Sequence, residues 1–332
     1  MKTILLEAIQ ATTAYVQQRQ ATDLNRFRKE ISRELFLKQY ARTEKDLTTT
    51  LTIYFKKQIQ AAKRELNRIA TEKNYSDTAE NITNLIFTPE DWYDELVNRA
   101  LPVLARGMGE AGLGFLLSIG IDPRNKNTQA TTKTTATEWI GRNTDFELPP
   151  GIAFDLPRWM YEDLGTLLRE SFEQDYWKKI PFSTRDDIRV YINHGVAEGW
   201  SLQRIAAEIT QEFPSAYSKQ RAMLVARTES AHALNGARNA CFLKVKNSLG
   251  EAGKQLKKEW MSVLSSTTRD SHANLDGTLE NQDGLFFLGG VAIPWPGHYA
   301  LPAADRCNCQ CTLSTSFGDI EDLQNLEAVL SD

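Results

Sequence analysis

The sequence predicts an α+β protein: a mostly helical N-terminal region, then a C-terminal module of helices packed on a small β-sheet. Three observations predict it. No glycine or proline interrupts residues 24 to 73, and apolar residues recur there at three- and four-residue steps. After Gly250 the apolar period shortens to two, as in strands. Three of the four cysteines and two of the four histidines fall between His272 and Cys311, so polar and sulfur chemistry is crowded into the strand-rich end.

Residues 1–121 read as a helical region. Phe27, Ile31, Leu35 and Phe36 share a helical spacing, and Ile53, Phe55, Ile59, Leu66 and Ile69 form a buried stripe among charged residues. Thr48, Thr49, Thr50 and Thr52 are expected to weaken this helix locally, because β-branched side chains lose rotamer freedom. Thr88-Pro89-Glu90-Asp91 is a helix start: a cap, a proline in the first turn, then acids. The helix it opens runs toward Leu104, with Pro102 as a kink. Residues 122–150 are polar and, from Asn125 to Thr137, low in complexity. They read as a loop or linker and as the domain boundary.

Residues 151–332 form the second part. A helix is expected over Trp159 to Trp177, another from Ser183 through Val196. Gly199-Trp200-Ser201 forms a turn and cap, Leu202 to Phe213 a short helix, and Ser215 to about Lys246 a long one. Trp260 to Leu264, Phe286 to Ile293 and Cys307 to Leu313 are the strand candidates, expected to form one sheet against the helices between 183 and 246. Ile320 to Leu330 reads as a short amphipathic helix.

Bulk composition sets limits. The chain has 332 residues, 41% hydrophobic and 25% charged, with a net charge of −4. One large or two ordinary domains can bury a sizeable core without a disulfide scaffold. The charge argues against a dedicated duplex-DNA reader. Met1 to Leu6 opens like a signal peptide, but Glu7 and Gln10 interrupt the apolar run. The most apolar window, Leu113 to Ile121, is shorter than the roughly 20 residues a membrane span needs, so no membrane partner is expected. Synthesis in a reducing cytoplasm follows as the expectation, and clustered cysteines there suggest metal or reduced thiols before disulfides. Gly107-Met108-Gly109-Glu110-Ala111-Gly112 satisfies a nucleotide-binding spacing. It lies in a predicted helix with no βαβ unit, so it reads instead as a close-packed joint.

The ordered motifs of the last third begin with Ala226-Arg227-Thr228-Glu229 on a helix. Trp260 follows, then Arg269-Asp270-Ser271-His272 closing on Gly277, a loop with Pro294, Pro296 and Pro302, and finally Cys307-Asn308-Cys309-Gln310-Cys311. This set resembles the head-morphogenesis family of tailed bacteriophages, the Mu F-like minor head proteins, over roughly residues 185 to 316. The counterparts are Arg227, Thr228, Glu229, Trp260, Arg269, His272, Gly277, Cys309 and Cys311. One departure is Gln310, where the family pattern has arginine. A second Ala-Arg-Thr-Glu, Ala41 to Glu44, lacks the other motifs. The resemblance implies a minor component of a phage head, made in the host cytoplasm and residing in the virion. Its implied role is head morphogenesis at the portal and capsid interior, with portal and major capsid proteins as partners and a part in DNA packaging or ejection. Under it the N-terminal helices are the docking surface.

The residues leave alternatives open. Arg227 and Glu229 lie two apart on a helix, so each must find its own partner. Glu229 is either half of a structural hub or a catalytic acid near His232 or His272. His272 either holds its turn, ligates metal, or acts as a base oriented by Asp276 or Glu229. A metal-dependent hydrolase or nuclease using Glu229 and His272 is the rival function. If Cys307 to Cys311 is a strand, sulfurs on one face lie roughly 6–7 Å apart, too far for one tetrahedral zinc without a turn or bulge. The choice is then between a structural zinc held by His272, Cys307, Cys309 and Cys311, a reduced apolar core, and an oxidised pair. The basic residues Arg26, Arg28, Lys29, Arg33, Lys56, Lys57, Lys63, Arg64 and Arg68 either face solvent or touch packaged DNA through its phosphates. An effector carried in the virion ranks last, since no toxin domain is recognisable after the cysteines.

Overall fold

The computed structural model describes residues 21–71, 83–84, 89–119, 158–213 and 215–316. The expected opening of residues 1–20, the whole 122–150 linker and the 320–330 helix lie outside the described residues. The architecture is mostly helical with a small β module at the C-terminal end. In order, the elements are α1 (Ala21–Thr71), α2 (Pro89–Ser118), α3 (Arg158–Glu173), α4 (Asp175–Ala197), α5 (Leu202–Glu212) and α6 (Ser215–Ser248). These are followed by a 3₁₀ turn (Ala252–Gln255), β1 (Lys257–Met261), α7 (Asp270–Ala273), β2 (Phe286–Leu288), β3 (Val291–Ile293), α8 (Ala303–Arg306) and β4 (Thr312–Ser316).

The chain divides into two compact units that interleave along the sequence. Among the described residues, unit 1 takes 21–44, 104–119, 158–167 and 227–316, and unit 2 takes 45–71, 83–84, 89–103, 168–213 and 215–226. Unit 2 is helical. Its core joins Ile59, Leu66 and Ile69 of α1 to Ile188 and Ile192 of α4, Ile205 and Ile209 of α5, and Phe213. The helices expected to cover the sheet from residue 183 onward therefore serve a different core until α6 passes Ala226.

Local chemistry explains where most elements fall. α1 runs unbroken through the threonines. The Thr49 and Thr52 hydroxyls donate to the Lys45 and Thr48 carbonyls, at 2.9 and 2.7 Å, so they bond within the helix instead of against it. α2 continues past Pro102 to Ser118. Its 18-residue apolar window, longer than the expected Leu113 to Ile121, meets the length and composition of a membrane span, but 67% of that window is buried in the protein, as in a core helix. Its glycines make the expected close joint: a Cβ on Gly107 would lie 2.6 Å from Thr43 Oγ1, and one on Gly112 2.9 Å from Cys241 Sγ. α5 is capped as predicted, Ser201 Oγ accepting from Arg204 N at 3.2 Å. The α3–α4 break falls at Gln174, not before Ser183. Trp177 and Ile180 are buried, and their packing carries α4 through Pro181.

The strands differ from expectation. They form two separate antiparallel pairs in place of one sheet: β1 with β4, Trp260 opposite Leu313, and β2 with β3, Phe286 opposite Ile293. Gly289 and Gly290 both have positive φ, which suits the two-residue turn joining β2 to β3. Cys307 to Cys311 precede β4 and are not strand. Trp260, Phe286, Leu288, Ile293, Trp295, Leu301, Cys309, Cys311 and Leu313 pack into one apolar cluster.

Candidate metal centre and its buried polar network

From Thr228 onward α6 carries polar residues at three- and four-residue steps, so one helix side holds Thr228, His232, Asn235, Arg238 and Asn239. All are buried. The loops and strands packed on this side are rich in carbonyls that need donors. Asn235 Nδ2 donates to Cys311 O at 2.8 Å and Pro296 O at 3.2 Å, and its Oδ1 accepts from Thr312 Oγ1 at 2.8 Å. Asn308 N donates to Thr228 Oγ1 at 3.4 Å. The Lys258 ammonium donates to Asn239 Oδ1, Gly284 O and Pro294 O, at 2.7, 2.9 and 2.9 Å, and pairs with Glu280 at 3.3 Å.

Arg227 and Glu229 diverge as their spacing requires. Arg227 Nε donates to Glu44 Oε1 at 2.8 Å, and Tyr40 OH donates to Arg227 O. Glu44 closes Ala41 to Glu44, the second copy of the tetrapeptide, so that copy supplies the counter-charge to the first. Glu229, 1% exposed, accepts from Tyr299 OH at 2.8 Å and from Arg306 Nη2 at 3.2 Å. Neither Tyr299 nor Arg306 was anticipated. A signal existed: Arg306 is the sole lysine or arginine between Asn281 and Ser316, and a buried carboxylate needs a cation.

His232 lies against this pair. Its ring packs on Tyr299, tilted by 40°, at 3.9 Å between centroids, and its Nδ1 sits 3.2 Å from the Gly297 carbonyl. Burial, then the neighbouring His298 and Arg306, push its imidazole well below the usual range. His298 shifts the same way by burial and Arg306. The folded protein therefore binds fewer protons than the unfolded chain below about pH 6.5, so stability falls as pH drops through that window. The expected slope approaches about 1.4 kcal/mol per pH unit for the fully buried His232. Urea denaturation of wild type and His232→Asn at pH 7.5 and 5.5 checks this. The variant should be weaker at pH 7.5 and lose less on acidification, and an equal loss would remove His232 as the cause.

The remaining motif residues assemble around His272. Arg269 Nη2 donates to Cys307 O at 2.8 Å, tying the α7 turn to the cysteine segment. Ser262 Oγ donates to His272 O at 2.6 Å, Asp276 Oδ1 accepts from Ser262 N at 2.7 Å, and Gly277 N donates to Trp260 O at 2.9 Å. Gly277 has φ +78°, a conformation that favours glycine. Trp260 is fully buried and edge-on to the imidazole, 6.0 Å between centroids.

The cysteine segment bends. α8 ends at Arg306, Cys309 N donates back to Arg306 O, and Asn308 adopts the left-handed conformation, φ +58°. Asparagine tolerates that conformation better than most side chains. The bend places Cys309 Sγ and Cys311 Sγ at 3.6 and 3.5 Å from His272 Nδ1. The three ligand atoms lie within 4.8 Å of one another, and all three residues are buried. This corrects the flat-strand spacing, which would have kept the sulfurs apart. Cys307, half-buried, is outside the group and contributes its carbonyl to Arg269.

The Cys311 thiol is pushed down to about 5, foremost by a hydrogen bond from Cys309, with further support from His272 and Ser262. The Cys309 thiol is pushed up by that same hydrogen bond and by burial. The pair thus favours one thiolate. His272 Nε2 has no hydrogen-bond partner among the described residues, and its nearest carboxylate oxygen is Asp305 Oδ1 at 3.7 Å. The carboxylates first expected to orient His272 are engaged elsewhere, Asp276 on Ser262 N and Glu229 on Tyr299 and Arg306. A cleft of about 20 Å³ opens beside the cluster, lined by His272, Cys309 and Cys311 together with Thr267, Thr268 and Gln310.

Residues 186–314 match the family described as Phage Mu protein F like protein, nearly the span of the motif resemblance. The minor head protein GP7 of Bacillus phage SPP1 is 32% identical over 132 residues, which is 39% of this chain and 39% of that protein. The NAD(+)--arginine ADP-ribosyltransferase EFV of Enterococcus faecalis (strain ATCC 700802 / V583) is 25% identical over 170 residues, 50% of this chain and 34% of that protein. The match therefore spans between a third and two fifths of these curated relatives. No solved structure matches. Over residues 186–314 the chain is thus similar to the Mu F-like family, and over 132 residues to a phage minor head protein.

Proposed function

We propose that this chain is a minor component of a bacteriophage head, acting in head morphogenesis at the portal and capsid interior. The carrying observation is the Mu F-like match over 186–314 together with the 32% identity to minor head protein GP7. The motif residues support a structural reading of that segment. Arg227, Thr228, Glu229, Trp260, Arg269, His272 and Gly277 are each bonded to or packed on a neighbouring segment of the same unit. The hydrolase rival asks Glu229 and His272 to act together, but Glu229 is committed to Arg306 and Tyr299, and His272 faces the two thiols. The match to EFV covers a third of that protein at 25% identity, and the activity in its name is not carried to this chain.

The expected docking surface is the exposed basic face of α1, where Lys56, Lys63 and Arg64 project to solvent. Portal and major capsid proteins are the partners this reading names. A probe that deletes the N-terminal helices is unsuitable, since Ser32 and Glu44 of α1 bond to Arg238 and Arg227 of α6. Surface charge reversal leaves the fold intact. Co-expression with portal and major capsid proteins from the same genome, then mass spectrometry of purified heads, should find wild type at a fixed low copy number. Lys56→Glu/Lys63→Glu/Arg64→Glu should be depleted at least severalfold. Absence of the wild-type chain from heads overturns the proposal. Retention of the triple variant at full copy number moves the docking surface elsewhere.

A further inference from the structure

We propose that His272 Nδ1, Cys309 Sγ and Cys311 Sγ bind one zinc ion per chain, with the fourth coordination position open to the adjacent cleft and filled by water.

The geometry already has the dimensions of a zinc site. Bonds of about 2.3 Å to sulfur and 2.0–2.1 Å to nitrogen at tetrahedral angles put a sulfur about 3.6 Å from a nitrogen ligand and about 3.8 Å from another sulfur. The observed sulfur–imidazole separations are 3.5 and 3.6 Å, and all three atoms fall within 4.8 Å of one another. Two thiols and an imidazole are soft ligands that suit zinc and reject magnesium and calcium. The backbone holds the set from two sides. Ser262 bonds the His272 carbonyl, and the left-handed Asn308 turns the cysteine segment toward it.

The second nitrogen completes the pattern. With Nδ1 on the metal, neutral His272 carries its proton on Nε2, and Asp305 Oδ1 lies 3.7 Å away. That buried nitrogen is otherwise without an acceptor. A small closure makes Asp305 the carboxylate that fixes the imidazole's tautomer, the common second partner of metal-bound histidines. Zinc takes both cysteines as thiolates, so binding releases thiol protons to solvent and neutralises the charge in a buried site.

The fourth ligand comes from outside the protein. A cleft of about 20 Å³ accommodates one water. Its lining includes Ser265, Thr267, Thr268, Arg269 and Gln310 and no carboxylate. Nothing there serves as a general base, so the site fits a metal that braces the α7 turn against the cysteine segment while keeping one exchangeable position.

The test uses the full chain, purified under reducing conditions, stripped with chelator and titrated with Co²⁺ or Zn²⁺. Elemental analysis should give one zinc per chain. Cobalt should give a thiolate-to-metal charge-transfer band and visible bands of four-coordinate intensity. Cys307→Ser should keep both, and Cys309→Ser/Cys311→Ser should lose both. Exogenous imidazole should shift the cobalt spectrum by displacing the water. If the double variant does not fold, thiol alkylation of wild type replaces it: zinc should protect Cys309 and Cys311 against the stripped protein's rate at least tenfold and leave Cys307 unchanged. Absence of metal and of the cobalt band in wild type overturns the site. Loss of binding in Cys307→Ser, or a spectrum indifferent to imidazole, overturns the open position.

Discussion

Glu229→Ala is expected to cost about 3–5 kcal/mol of stability, because it leaves the Arg306 guanidinium buried without its counter-charge. The cost comes from desolvation more than from the lost attraction. Arg306 is 6% exposed and cannot turn to water, and Tyr299 loses the acceptor of its hydroxyl as well. Glu229→Gln keeps an acceptor oxygen but no charge and should fall between wild type and alanine. Glu229→Gln/Arg306→Met should recover much of the loss, since removing both charges also removes the desolvation cost. Urea denaturation followed by Trp fluorescence measures all three. A Glu229→Ala loss below about 1 kcal/mol, the range of exposed pairs, would sink the structural reading and reopen a chemical role for this carboxylate.

Much of this was legible where a signal repeats. α5 and α6 follow from a cap and a long apolar period, and α1 from the absence of glycine and proline across residues 24 to 73. Signals carried by a single residue were lost. The alternation in Cys307 to Cys311 imitates a strand, and only the left-handed Asn308 shows that the segment bends. No hydrophobic period records one residue's φ. The α3–α4 boundary was misplaced because Ser183 looks like a cap, while the burial of Trp177 and Ile180 decides otherwise. Lys258 stands beside Lys257, and no motif marks it. Yet it is two residues from Trp260, so on a strand both face the same side, and a buried tryptophan implied a buried lysine. The polar side of α6 that holds Thr228, His232 and Asn235 continues one turn to Arg238 and Asn239, where the most enclosed charge lies.

Arg238 carries the other large expected effect. It is fully buried on α6, and its acceptors are all neutral: Leu313 O at 2.8 Å, Ser32 O at 2.8 Å, Thr312 Oγ1 at 3.1 Å and Ser32 Oγ at 3.2 Å. The guanidinium also lies over the Phe36 ring, 5.0 Å from its centroid. Burial pushes it down to about 9, a measure of how incompletely these dipoles replace water. Its fork reaches α1 on one side and β4 on the other, which one ammonium cannot do at once. Arg238→Ala removes these bonds and opens a cavity, and should cost about 3–5 kcal/mol. Arg238→Lys should lose most of the same energy despite keeping the charge. Arg238→Met fills the space without a charge to desolvate and should be the mildest of the three. Denaturation of the three variants in parallel separates the causes. If lysine is as good as arginine, charge alone matters and the fork does not. If methionine is as harmful as alanine, the bonds to Ser32 and Leu313 dominate, and β4 should then lose its amide-exchange protection before β2 and β3.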